Sequence, residues 1–196
     1  MYRADALRGR LPGLLDPSPR VEPPSGTVLA SVLVPVVTSG DDPHLVFTRR
    51  SDTLSRHAGE ISFPGGLVDP GEDLAAAALR EAHEELALAA EDVELAGALP
   101  AVHTSVSGVH IVPFVGFLRG RPAFVPSAAE IAEVLEFRLE DLVAVETERD
   151  LYVRGRTVRT FVYELGENVI WGATGRIVRS LVAVLVDAAP GREVAG

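Results

Sequence analysis

Short runs dense in branched aliphatic residues alternate along this chain with polar breaks rich in Gly, Pro and Asp. The first run, residues 27–37, is so dense in Val and Leu that it predicts a central strand. Gly40-Asp41-Asp42-Pro43 supplies turn chemistry, and residues 44–48 read as a second strand closing a hairpin. After Gly71 the period changes. Asp73 stands at a helix N-cap position, followed by Leu74, four alanines and Leu79, which favour helix. Helical spacing places Ala75, Leu79, Ala82 and Leu86 on a core-facing side. It places Glu81, Glu84 and Glu85, spaced i, i+3 and i+4, on the opposite one.

Beyond this helix, residues 93–101 read as a strand, 103–110 as a hydrophilic turn carrying His103 and His110, and 111–118 as another strand. Residues 129–142 join a strand to a short helix, with Glu130 and Glu133 at the start. A late hairpin is expected over 151–153 and 158–163. Residues 169–175 then open an amphipathic helix through Ile177, Leu181 and Leu185, with Trp171 expected as a core anchor. Residues 1–26, rich in Pro and Arg, form an N-terminal arm with one short helix near 4–11, and residues 27–190 form a single domain.

Composition narrows the functional classes. With 196 residues, 47% of them hydrophobic, the chain can bury a core of ordinary size, and no run is long enough to span a membrane. Cysteine is absent, which excludes disulfides, thiolate metal sites and Cys nucleophiles; a cytoplasmic enzyme is expected. The formal charge of -10 argues against general nucleic-acid binding and favours a small partner. All basic residues are arginines. The sequence is compatible with a homodimer but does not fix the oligomeric state.

The charge that matters is local. Three carboxylates on one helical face repel each other by a few tenths of a kcal/mol per pair, roughly, and an exposed helix would intersperse basic residues. Only Arg80, four residues before Glu84, is near. Such a cluster calls for a cation, and hard oxygen ligands suit Mg2+ or Mn2+, which commonly bridge carboxylates to substrate phosphates. Just upstream, Arg49, Arg50, Arg56 and His57 are placed to meet phosphates.

Gly66, Glu72, Arg80, Glu81, Ala82, Glu84, Glu85 and Leu88 together resemble the signature of the Nudix hydrolases, with Ala87 standing where that pattern has Gly. The resemblance implies the Nudix fold, an α/β/α sandwich around a mixed β-sheet. It also implies hydrolysis of a nucleoside diphosphate derivative by water attacking a pyrophosphate phosphorus. In that scheme Glu81, Glu84 and Glu85 hold the metal with the Gly66 carbonyl as a further ligand. Glu72 supports the site, and Arg80 orients the carboxylates. Glu133, preferred over Glu130, is a candidate for reaching the metals or taking the proton of the water. The upstream stretch is similar to the coenzyme A pyrophosphatase branch at Thr48, Arg50, Ser51, Leu54, His57, Gly59 and Phe63-Pro64-Gly65-Gly66. Ser55 departs where the branch has Arg, and Arg56 lies next to it. This implies cleavage of coenzyme A to 3′,5′-ADP and 4′-phosphopantetheine, with Arg49, Arg50, Arg56 and His57 toward the phosphates or the pantetheine arm. Another nucleotide substrate (ADP-ribose, a dinucleotide polyphosphate or a capped RNA end) and a non-catalytic nucleotide-binding regulator are the alternative readings.

Overall fold

The computed structural model describes residues 2–22, 26–53, 58–104, 108–153 and 155–187. In chain order these form helix α1 (Ala4–Arg10), β1 (Val28–Val37), β2 (His44–Arg50), β3 (Ile61–Ser62) and β4 (Gly65–Leu67). Helix α2 (Leu74–Leu86) precedes β5 (Val93–Ala98), β6 (Val102–Thr104), β7 (Val109–Leu118) and β8 (Ile131–Arg138). The last part contains α3 (Leu139–Val145), β9 (Glu146–Val153), β10 (Arg156–Leu165), β11 (Asn168–Ile170) and α4 (Gly172–Asp187).

The aliphatic run of β1 is central, as its composition predicts. It pairs in parallel with β7 from Val28↔Val109 to Val36↔Phe117 and antiparallel with β2 and β4, so the eight-stranded sheet is mixed. A strand buried on both faces needs apolar residues at successive positions. Leu33 and Val37 face one layer with Ala78, Ala82 and Leu86 of α2. Val34 and Val36 face the other with Phe47, Leu181 and Leu185. The second face also carries a three-stranded sheet, β11-β10-β9. The result is the expected α/β/α sandwich around a mixed sheet.

The N-terminal segment packs into this second layer: Leu7, Leu11 and Leu15 are buried there. Arg8 ties it down through Thr38, Glu94 and the Leu118 carbonyl. Two elements differ from expectation. The span 103–110 is not a plain turn, because β6 extends to Thr104 and β7 begins at Val109, and His103 sits opposite His110 in register. The strand expected over 93–101 ends at Ala98. Trp171 is half-buried beside the cleft described below.

Helix α2 begins as its sequence dictates: Asp73 Oδ1 accepts hydrogen bonds from the Ala75 and Ala76 amides. It ends at Ala87, which takes the left-handed conformation (φ 54°) while its N–H donates to the His83 carbonyl. An alanine there bears a steric penalty that glycine avoids. Ala87→Gly should therefore stabilise the fold by about 1 kcal/mol, read as a rise in the urea midpoint with unchanged slope.

Candidate active site

The site is built where β4 meets α2. Phe63 anchors the approach by stacking on Phe47, with ring centroids 4.5 Å apart, and the Leu33 amide donates to the Pro64 carbonyl. Gly65 and Gly66 then pair with Val32 and Ser31 of β1. Neither position has room for a side chain. A Cβ on Gly65 would lie 2.5 Å from the Ser31 carbonyl oxygen, and one on Gly66 would lie 2.4 Å from the Glu81 carboxylate. Gly65 lets β4 lie close on β1, and Gly66 lets the helix lie directly on β4.

Arg80 organises the acids around it. Its guanidinium grips Glu72 through two bonds, Nε to Oε1 at 2.8 Å and Nη2 to Oε2 at 3.1 Å. Its Nη1 donates to Glu81 at 2.9 Å and to Glu84 at 3.3 Å, and Nη2 also reaches the Leu67 carbonyl. Glu72 accepts a further bond from the Asp69 amide, which closes the loop before the helix. Held chiefly by Arg80, then by that amide, the Glu72 carboxyl is lowered to about 2. Glu72, foremost, and Glu81 raise the Arg80 guanidinium in turn.

Glu85 lies differently from the helical projection. It does not share a solvated face with Glu81 and Glu84. Its side chain is only 5% exposed, against 57% for Glu84. Because α2 sits in a groove roofed by the segment after β7, the buried side widens to include position 85; Ser127 N–H donates to the Glu85 carbonyl there. Arg50 Nη1 is 3.9 Å from Glu85 Oε1, beyond hydrogen-bonding distance. Glu85 Oε2 and Arg50 Nε are buried without a hydrogen-bond partner. Burial, foremost, pushes the Glu85 carboxyl up to about 7, with Glu81 and Glu130 adding repulsion against the Arg50 charge and the Gly65 amide. Burial also raises Glu81, although Arg80 opposes it.

The other expected residues divide. Arg49 and Arg50 are neighbours on β2, at a register irregularity against β8, and take different partners. Arg50 goes to Glu85, whereas Arg49 holds Glu133 at 3.1 Å and also bonds Asn168. Glu133 is thus held by Arg49, apart from the Arg80 network of the signature stretch 66–88, the box. Glu130 is the acid at the start of β8 whose charge acts on both Glu81 and Glu85. Its turn is fixed by the Ser51 amide donating to the Glu130 carbonyl at 2.7 Å. His103 and His110 pair with each other, 6.1 Å between ring centroids, and do not line the cleft. Arg56 and His57 lie outside the described residues.

A cleft of about 640 Å³ opens beside the box. Arg50, Phe63 and Gly65–Leu67 form one part of its lining, and Val158–Thr160 and the first turn of α4 form another. Its volume lies in the range of small-molecule sites.

The NUDIX domain model matches residues 28–157. The chain belongs to the Nudix family. The uncharacterized Nudix hydrolase NudL of Citrobacter koseri is 40% identical over 155 residues, covering 78% of this chain and 80% of that protein. NudL of Pectobacterium atrosepticum is 36% identical over 161 residues, covering 81% and 83%. Among solved structures, the Ap4A hydrolase of C. elegans in a binary complex superposes with a TM-score of 0.56 at 19% identity, covering 81% of this chain and 98% of that one. That likeness is one of fold. As a Nudix hydrolase, the chain acts on the pyrophosphate bond of a nucleoside diphosphate derivative.

Nudix enzymes generally use divalent metal ions, and the donors here suit one. Glu81, Glu84 and Glu85 offer hard oxygens, two of them in carboxyls whose charge burial disfavours, and Glu85 Oε2 is buried without a partner. Among the described residues, no three acidic or histidine side chains form a metal-ready cluster. Arg80 draws Glu81 and Glu84 toward itself while Glu85 turns inward.

Two outcomes follow from this geometry. In Gly66→Ala the new Cβ displaces the Glu81 carboxylate, the end of a flexible side chain, so the fold should persist while kcat falls about 100-fold. A thermal melt beside steady-state rates checks both halves. The lowered Glu72 carboxyl contributes stability in full above its ordinary value of 4.5 and loses it as pH falls through about 2. Between those limits the urea midpoint of the wild type should drop more steeply than that of Glu72→Gln, and parallel curves would refute this.

Proposed function

We propose that the chain hydrolyses coenzyme A, or a close derivative, to 3′,5′-ADP and 4′-phosphopantetheine with Mg2+ or Mn2+. One observation carries the reading. The stretch that resembles the coenzyme A branch supplies Arg50, Phe63, Gly65 and Gly66 to the lining of the cleft, beside the box glutamates. A substrate with a long arm beyond its pyrophosphate needs such a cleft.

Glu81, Glu84 and Glu85 would hold the cation, with the Gly66 carbonyl as a further ligand, since the Gly66 Cα faces the Glu81 carboxylate at close range. When bound, the cation supplies charge neutralisation at the pyrophosphate and acidifies the attacking water. The protein's own groups do the positioning. Arg80 fixes the direction of Glu81 and Glu84, so their charges are placed before substrate arrives. Arg50 offers a guanidinium with an unused Nε, suited to a phosphate oxygen. The proton of the water would pass to a box glutamate or to an acid at the start of β8. Of those acids, Glu130 acts electrostatically on the box, while Glu133 is engaged by Arg49. No helix among the described residues is long and apolar enough to cross a membrane, and the cysteine-free composition suits a cytoplasmic enzyme.

The test is a panel of coenzyme A, ADP-ribose and diadenosine polyphosphates with Mg2+ or Mn2+, products resolved by chromatography. Coenzyme A should yield 3′,5′-ADP, and Glu85→Gln should lower the rate on the order of 100- to 1,000-fold. Cleavage of ADP-ribose without cleavage of coenzyme A would sink the substrate assignment and leave the box intact.

A further inference from the structure

The cleft has a second polar region, built by elements far in sequence from the box. Its lining includes Thr160 of β10 and the opening turn of α4, from Trp171 to Arg176. The two are pressed together at Gly175, where a Cβ would lie 2.5 Å from the Phe161 carbonyl oxygen. Glycine at that point lets the helix sit on the strand, and so Arg176 reaches the same cleft as Thr160.

Three arginines line the cleft among the described residues, and their partners differ. Arg50 lies beside Glu85, and Arg159 is neutralised by Glu148 at 2.9 Å and Asp150 at 3.9 Å. Arg176 has no carboxylate partner among the described residues; its Nη1 donates to the His103 carbonyl at 2.7 Å, which orients the guanidinium without cancelling its charge. In a chain of net charge -10, an arginine in a cleft without a neighbouring acid is a local exception. Helix α4 adds to it: its first turn carries no acidic side chain, and a helix N-terminus favours an anion. Thr160 supplies an independent sign. It is 4% exposed, and its Oγ1 is buried with no hydrogen-bond partner. A hydroxyl left so is unfavourable unless something accepts or donates to it.

We propose that Arg176, Thr160 and the N-terminus of α4 form a subsite for a second anionic group of the substrate, a phosphate monoester carried away from the scissile pyrophosphate. A monoester near neutral pH carries close to two charges and three acceptor oxygens, which suits a guanidinium fork, a hydroxyl and helix amides together. The assignment rests on the coenzyme A reading, in which the group is the 3′-phosphate of the ribose. It gives the enzyme a physical means of preferring coenzyme A over ADP-ribose, which shares the diphosphate and lacks the monoester.

The experiment compares wild type, Arg176→Gln and Thr160→Val on coenzyme A and 3′-dephospho-coenzyme A, and titrates 3′,5′-ADP and 5′-AMP into each protein without metal. Wild type should show a KM for coenzyme A about tenfold below that for the dephospho form. Arg176→Gln should collapse that ratio toward one through KM, with kcat on coenzyme A held. Thr160→Val, which keeps the volume and removes the hydroxyl, should shift the ratio the same way by less. Equal KM values in the wild type, or equal losses on both substrates in Arg176→Gln, would overturn the subsite while leaving the coenzyme A assignment standing. If neither substrate is cleaved, the coenzyme A assignment falls. The titration still decides the subsite: tighter binding of 3′,5′-ADP than 5′-AMP, lost in Arg176→Gln, supports it, and equal binding rejects it.

Discussion

Everything at the active site depends on how closely α2 lies against β4. Gly66 removes the side chain that would hold the helix away, and the Glu81 carboxylate occupies the space its Cβ would fill; Gly65, beside it, lets β4 lie close on β1, where a Cβ would strike Ser31 and Val32. Small residues on the helix complete the contact, since Ala78 and Ala82 are fully buried against the sheet. Larger side chains at those places would lift the helix and carry its acids away from the strand. Ser31 adds a polar tie, its Oγ donating to the Leu74 carbonyl at 2.7 Å. A catalytic helix is thereby fixed to the most buried part of the sheet, where packing tolerates little movement.

That closeness creates an electrostatic problem, which the protein resolves in two ways. Glu72, Glu81 and Glu84 share one guanidinium, so Arg80 offsets the repulsion near the surface and makes the loop before α2 part of the same network. Glu85 has no such partner. It is buried, 3.9 Å from Arg50, and its carboxyl is pushed up to about 7. A charge buried with so little compensation destabilises the folded protein. The site therefore stores a demand for positive charge that Arg80 leaves unmet, which is the role proposed for a divalent ion arriving with substrate.

Much of this was legible because fixed chemistry has fixed spacing. The glycine–glutamate–arginine pattern between Gly66 and Glu85 announces the loop, the helix and the acids, and the aliphatic density of residues 27–37 announces the central strand. What the periodicity missed depends on neighbours. A helical projection assigns Glu85 to solvent because it sees only one helix; the segment after β7, bonded to the Glu85 and Leu86 carbonyls, turns that side into interior. Glu130 and Glu133 are equivalent acids in sequence. Strand pairing separates them, because Glu133 falls opposite Arg49 and is claimed by it. His103 and His110 suggested a turn because Ser and Gly lie between them, yet their strands pair through the two histidines as far as Thr104 and Val109. For Glu85 and Glu133 the deciding contact is long-range.

The two faces of the sheet also divide the work. On one face lies α2, whose chemistry is set by residues 66–85 and lies within the matched domain, residues 28–157. The cleft opens toward the other face, and Thr160, Trp171 and the first turn of α4, which line part of it, follow that domain in the chain. The proposed monoester subsite thus draws on a later part of the sequence and a different layer of the fold from α2. Changes around Thr160 and the α4 N-terminus can alter which nucleotide is held without disturbing the packing that places Glu81 against Gly66. The converse does not hold, because a shift of α2 would move the reacting end of any substrate the cleft accepts. Selection for new substrates in this architecture is therefore expected to act on the second face and to leave the glycine–helix contact alone.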